Sequence, residues 1–262
     1  MITSLAVAAN GAIDVTPIPF VQPGKLFPPE GGGGVIFRQR FLHHEAKLKS
    51  LNCGEYLLPA GTETIVTSLP DRESILFLTQ GEVTVEIENQ IFELSRLDTV
   101  YVPKGAAYRF RNQSRTAATI VQMSAPAGRV YPAFHSRFLE FSEREERIRQ
   151  LNQKTTYLMF DVTEQADKLL AGFTFFEPFA RTWPPTNHTD QEEVNVFIQG
   201  KGSMEVYEST EKLTFVREVK EGDLVAIPPH NYHPVFSQEE PLVYLWCIAG
   251  NRGGEASAQN RE

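Results

Sequence analysis

The 262-residue sequence predicts an all-β protein built as two tandem barrels. Three observations carry that expectation. Short runs alternate apolar and polar residues at period two, with Gly, Pro, Asn and Asp between them, as half-buried strands do. Helical periodicity is scarce. The chain also repeats itself, one strand-rich unit following another of similar layout, which marks a duplicated fold.

Residues 1–35 hold many Pro and Gly, including Gly31 to Gly34. They match no phosphate-loop or dinucleotide spacing and read as a flexible or edge-covering arm. Residues 36–126 form the first unit, with strands at Ser74–Leu78, Val83–Ile87 and Thr99–Val102. Residues 127–155 read as a linker. Its helical signal begins at Ser142, which has capping-box spacing to Glu145. His135, in the same stretch, has no partner in sequence. Residues 156–250 form the second unit, with a strand at Leu242–Trp246, and residues 251–262 form a polar tail.

The repeat is explicit. Glu73–Gly81 (ESILFLTQG) resembles Glu192–Gly200 (EEVNVFIQG), and Asp98–Pro103 (DTVYVP) resembles Asp223–Pro228 (DLVAIP).

Composition excludes several classes of function. Hydrophobic residues make up 41% and charged residues 22%, as in an ordinary globular protein. No apolar run approaches the ~20 residues of a membrane span. The opening MITSLAVAANG has no basic residue before its apolar patch, which argues against a signal peptide. Cys53 and Cys247 match no metal or redox spacing and read as buried free thiols in a reducing cytoplasm. The net charge of −8 disfavours nucleic acid. A small anionic substrate then needs local positive groups around its pocket.

The chemistry concentrates in the second unit. His188 is followed by Glu193 after four residues and by Gly200 after six more. Gly222 is followed by Pro228 after five residues, and Pro229-His230-Asn231-Tyr232-His233 comes next. These two spacings, in this order, resemble the two motifs of the cupins, which are jelly-roll barrels also called double-stranded β-helices. The segments Trp183–Asp190, Glu221–Pro228, Asn231–Val235 and Leu245–Gly250 narrow the resemblance. They are similar to the two-cupin uronate isomerases of the 5-deoxyglucuronate and 5-keto-4-deoxyuronate isomerase type. The resemblance runs from about Phe37 to Gly250.

Strand geometry supports a metal site. Residues two apart face one side, so positions 186 and 188 point together. Glu193 enters the next strand, and His233 arrives from another after a turn. Two imidazoles and one carboxylate with open positions suit one divalent ion such as Zn, Mn, Fe or Ni. Where the cupin motif has its first histidine, this chain has Thr186. A water or a substrate oxygen in the fourth place is the simplest reading, with Asp190 or Glu192 swinging in as a second and weak binding with lost activity as a third. In the first unit Thr67, Leu69, Ser74 and Tyr108 take the four ligand positions, so that barrel is expected to be metal-free.

Around this set, Asn195 and Phe197 share the face of Glu193 and line the pocket, while Val194, Val196 and Ile198 pack away. Arg181 is a candidate clamp for a substrate carboxylate, with a surface ion pair as the equal alternative. Thr186 is a further substrate contact. Adjacent His43 and His44 face opposite ways and share no metal, and His230 is expected to be exposed. The resemblance implies a metal-dependent aldose–ketose isomerase acting on an open-chain uronic acid. Glu192 or Asp190 is the candidate base that moves the proton beside the carbonyl. Two other classes stay open: an Fe(II) cupin oxygenase and a non-catalytic sugar-acid-binding bicupin. No membrane or nucleic-acid partner is expected, and a homodimer is left open.

Overall fold

The computed structural model describes residues 20–22, 34–183 and 187–252. β1 (Phe20–Gln22) comes first. The first barrel takes β2 (Ile36–Phe41), β3 (Asn52–Leu58), β4 (Arg72–Gln80), β5 (Val83–Ile87), β6 (Gln90–Leu94), β7 (Thr99–Val102), β8 (Tyr108–Arg111), β9 (Ala118–Pro126) and β10 (Phe134–Ser136). The second takes β11 (Ile148–Leu151), β12 (Lys154–Phe160), β13 (Leu169–Phe176), β14 (Gln191–Gln199), β15 (Lys201–Ser209), β16 (Lys212–Lys220), β17 (Leu224–Ile227), β18 (Val235–Ser237) and β19 (Leu242–Gly250).

Each barrel is a large sheet faced by a small one. In the first, the six-stranded sheet β10-β7-β4-β9-β3-β2 faces the three-stranded β6-β5-β8. In the second, the seven-stranded sheet β1-β17-β14-β19-β13-β12-β11 faces β16-β15-β18. The described pairings are antiparallel.

Alternation along the strands supplies three cores at once. In β4, Leu76 and Leu78 fill the first barrel, while Ile75 and Phe77 face out of it. In β14, Phe197 enters the second barrel, while Val194 and Val196 face out. The two outward faces meet in a joint core that includes Val121, Met123, Phe173, Leu245 and both cysteines. Phe77 and Phe173 touch edge to face across it, with centroids 5.9 Å apart. Each such buried side chain stabilises by about 1.5–3 kcal/mol. Cys53 and Cys247 are buried free thiols, and burial pushes the Cys53 thiol up to about 12.

The repeat is visible in the turns. Gly81 and Gly200 both have positive φ, +80° and +81°. A Cβ at either would collide with a backbone carbonyl oxygen, of Ala117 or Pro241, so glycine is needed at both hairpins. Asp98 accepts from the Ser95 amide, and Asp223 does the same from the Lys220 amide, each at 3.0 Å.

Residues 127–155 differ from the linker expected there. β10 pairs with β7 of the first barrel, and β11 extends the large sheet of the second. The expected helix from Ser142 does not form. A four-residue helix, α1 (Phe138–Phe141), ends with Ser142 as its C-cap, and a 3₁₀ turn covers Glu145–Arg147. Pairing of Ile148–Leu151 with β12 outweighs the local capping signal. His135 also has a partner, Asp98, at 3.3 Å. His43 lies in a turn rather than on a strand and bonds Asn52 at 3.0 Å. No helix among the described residues is long and apolar enough to cross a membrane.

Candidate metal centre

β14 brings Glu193 into the second barrel, on the same face as Asn195 and Phe197. Two other segments bring the histidines. His188 stands just ahead of the bend that leads into β14, and His233 on the loop between β17 and β18. One oxygen, Glu193 Oε2, lies 3.0 Å from His188 Nε2 and 3.1 Å from His233 Nε2. The potential ligand atoms of the three residues all lie within 4.8 Å of one another. Burial opposes ionisation of Glu193, but the facing His233 and His188 hold its carboxyl well below the usual carboxylate range.

The loop that carries His233 is tied down. Asn231 donates its side-chain amide to the carbonyls of Pro228 (3.1 Å) and Pro229 (3.3 Å). The His230 amide donates to the His188 carbonyl at 2.6 Å, which fastens the two histidine segments together. His230 has φ +69° and is half-buried, not exposed as expected, because this turn folds against the 188 segment.

The donor set fits a cation. His233 Nδ1 contacts the Asn231 carbonyl at 2.8 Å. A carbonyl only accepts, so Nδ1 carries the proton. In the neutral ring Nε2 then presents a lone pair toward the carboxylate, an arrangement relieved by a positive centre between them. A backbone partner on the far nitrogen is also how metal-bound histidines are usually oriented. His188, Glu193 and His233 would hold the ion.

Beside the cluster the barrel interior is polar. Asn195 is fully buried, and among the described residues neither its amide nitrogen nor its amide oxygen has a hydrogen-bond partner. The Trp246 Nε1, on the neighbouring strand opposite Asn195, is likewise buried without one among the described residues. Buried polar groups are nearly always paired, so these unmet groups call for a ligand or ordered water. Gly172 makes room for the Trp246 ring, since a Cβ there would lie 2.5 Å from it. Lys154, the first residue of β12, lays its ammonium over the Phe176 ring, 5.7 Å from the centroid. Burial pushes this amine down to about 8, with the Glu193 charge opposing the shift. Lys154 gave no signal in the sequence, because it falls in the stretch read as a linker.

Several expected site residues stand elsewhere. Glu192 is not available as a base. Its carboxylate points out of the barrel, into the joint between the two, where backbone amides of Lys49, Ser50 and Leu51 hold it. Asp190 is exposed on the bend and is not part of the cluster. Arg181 lies on the outer face of the small sheet. Its guanidinium donates to Glu205 (2.7 Å) and to the Tyr207 hydroxyl (2.8 Å) and stacks on Trp183 (4.5 Å). Its charge is engaged in that ion pair, the alternative that the sequence left open beside the clamp. Thr186 lies outside the described residues.

In the first barrel the equivalent positions hold no ligand set. Gln122 donates to the Tyr108 hydroxyl at 2.7 Å and reaches Ser74 Oγ at 3.4 Å, and the Tyr56 hydroxyl lies 3.5 Å from that of Tyr108. A neutral hydrogen-bonded network stands where the second barrel has its cluster.

Two jelly-roll barrels, one with a His-Glu-His cluster inside, define a bicupin. The pattern of the KduI/IolB family matches residues 38–261, and the chain belongs to this family, an isomerase family of the cupin superfamily. Solved structures share the fold. An IolB-like protein from Salmonella typhimurium superposes with a TM-score of 0.70 at 19% identity, over 88% of this chain and 92% of that one. Oxalate decarboxylase from Bacillus subtilis gives 0.69 at 16% identity, over 85% and 74%. An uncharacterized protein of Methanocaldococcus jannaschii is 24% identical over 102 residues, 39% of this chain and 82% of its own length.

Proposed function

We propose that the second barrel interconverts the aldose and ketose forms of an open-chain uronic acid, with one divalent ion held by His188, Glu193 and His233. The observation that carries this reading is the convergence of that cluster with unmet buried donors and the half-buried cation of Lys154 in one barrel interior. Bound there, the ion supplies Lewis acidity to a substrate carbonyl. The protein's own groups bind and orient the rest of the molecule. Lys154 takes the carboxylate, in the role the sequence offered to Arg181. Asn195 offers a donor and an acceptor to sugar hydroxyls, and Trp246 Nε1 offers a donor. Asn231 holds the His233 ring in one orientation. Membership of an isomerase family supports the reaction class.

Two histidines and one carboxylate also make up the ligand set of Fe(II) oxygenases, and oxygen uptake by iron-loaded protein is the sign of that second reading. The isomerase reading is tested by incubating metal-loaded protein with 5-deoxyglucuronate and related uronates and following the sugar by NMR. Aldose–ketose interconversion is expected. A protein that retains its metal and turns over none of them contradicts it.

A further inference from the structure

The barrel without a metal cluster has a larger opening than its vacant chemistry suggests. A cavity of about 540 Å³ enters it, lined among others by Phe37, Gln39, Asn52, Tyr56, Arg72, Gln122 and Ser124. That volume lies within the range of small-molecule sites.

The lining is chemically specific. Arg72 fixes its guanidinium through Nε to Ser124 Oγ (3.0 Å) and through Nη2 to the carbonyls of Ser50 (2.5 Å) and Ser124 (2.7 Å). Its Nη1 has no hydrogen-bond partner among the described residues. Gln122 is 6% exposed and uses its nitrogen on Tyr108 and Ser74, so its amide oxygen is left over among the described residues. Gln39 spends its nitrogen on the carbonyls of Phe41 and Cys53, and Asn52 its oxygen on His43. One amide atom of each is again uncommitted among the described residues. The rim carboxylate, Glu63, is engaged by Arg109 (3.0 Å) and Arg111 (3.1 Å). Phe37 and Tyr56, with ring centroids 4.6 Å apart, form an aromatic wall, and Gly54 lets the Phe37 ring lie flat against its strand.

A fixed cation suits a carboxylate. Mixed uncommitted donors and acceptors suit hydroxyls, which both donate and accept. An aromatic wall suits the C–H face of a sugar. We propose that the first barrel is a second ligand site, which takes a sugar acid or similar small polyhydroxy carboxylate and leaves it unchanged. The Ser74–Gln122–Tyr108 network gives that site a neutral floor, with no ligand for a metal and hence no Lewis acid.

The proposal does not depend on turnover in the second barrel. Its test is calorimetric titration of D-glucuronate into the metal-loaded full chain and into His233→Ala, with and without a change in the first barrel. Two sites are expected in the wild-type chain and one in His233→Ala. The site that remains in His233→Ala should weaken at least tenfold with Arg72→Gln, and as much with Thr67→Phe, which fills the cavity wall without touching the Arg72 bonds. A His233→Ala chain that binds no glucuronate, or binds it equally well after Thr67→Phe, overturns the proposal.

Discussion

Glu73 and Glu192 hold the same position in the two repeats, and each is bound by the backbone of the other barrel. Glu73 accepts from the amides of Asp167 (2.9 Å), Lys168 (2.8 Å) and Leu169 (3.2 Å) and from the Tyr101 hydroxyl (2.9 Å). Glu192 accepts from the amides of Lys49 (2.5 Å), Ser50 (2.8 Å) and Leu51 (2.7 Å) and from Ser50 Oγ (2.7 Å). The exchange is reciprocal: each repeat places this glutamate on the face that the other barrel covers. Both carboxylates are almost fully buried, 0% and 2% exposed, so their hydrogen bonds compensate most of the loss of water.

Glu192→Gln therefore weakens the joint rather than the chemistry. An amide cannot accept from several backbone N–H groups as a carboxylate does, so the change costs roughly 3 kcal/mol. For a chain of this size that lowers Tm by about 5–10 °C. Turnover per folded molecule is expected to stay within a few-fold of wild type. A hundredfold fall in kcat with unchanged melting would return Glu192 to the role of base.

Lys154 makes stability rise with pH on the alkaline side. Its amine titrates near 8 when folded against 10.5 when free, so the folded state binds fewer protons between those values. Where the unfolded state holds more protons, stability increases with pH. The contribution is complete above about 10.5 and is lost as pH falls through about 8. At pH 7 the half-buried charge is a penalty. Lys154→Met is accordingly expected to stabilise the fold by about 2–3 kcal/mol at pH 7 and to flatten the rise above pH 8. Denaturant unfolding of both proteins at pH 7 and pH 10 measures this, and equal slopes with pH contradict it.

The same lysine separates the two candidate partners of a substrate carboxylate. Lys154→Met should raise KM for a uronate at least tenfold, whereas Arg181→Gln should leave KM within about twofold. The Arg181–Glu205 pair is partly exposed on the outer face, and such pairs contribute about 0–1 kcal/mol. Steady-state kinetics on the two variants decide it: a KM effect confined to Arg181→Gln reverses the assignment.

Much of this was legible in the chain. Period-two alternation placed Glu193, Asn195 and Phe197 on one face of β14 and Val194 and Val196 on the other. The repeat placed Ser74 and Tyr108 where the second barrel has Glu193 and His233. The same alternation gives Glu192 the opposite face from Glu193, which tells against the base and substitute-ligand readings of Glu192 made from proximity. It carries no information about what covers that face, and the covering residues, Lys49 to Leu51, lie more than 140 positions away. For Arg181 the sequence leaves a clamp and a surface ion pair as equal alternatives, because its spacing from Trp183 does not say which face it takes; the structure has the ion pair, with Glu205, beside an isolated bridge to Phe236. Lys154 was missed because a short stretch of β11 and β12 lacks an alternating apolar pattern and looks like a connection. Its importance lies in what it packs against, Phe176 and the field of Glu193, which only the closed barrel brings near.

The central claim is a single metal centre in the second barrel, and elemental analysis tests it most directly. Purified protein, loaded with divalent metal and then desalted, should hold about one ion per chain, following the one-cluster geometry. His233→Ala should hold essentially none, while Tyr108→Phe in the first barrel should retain the ion. A wild-type chain that holds no metal, or a His233→Ala chain that holds as much as wild type, contradicts the account.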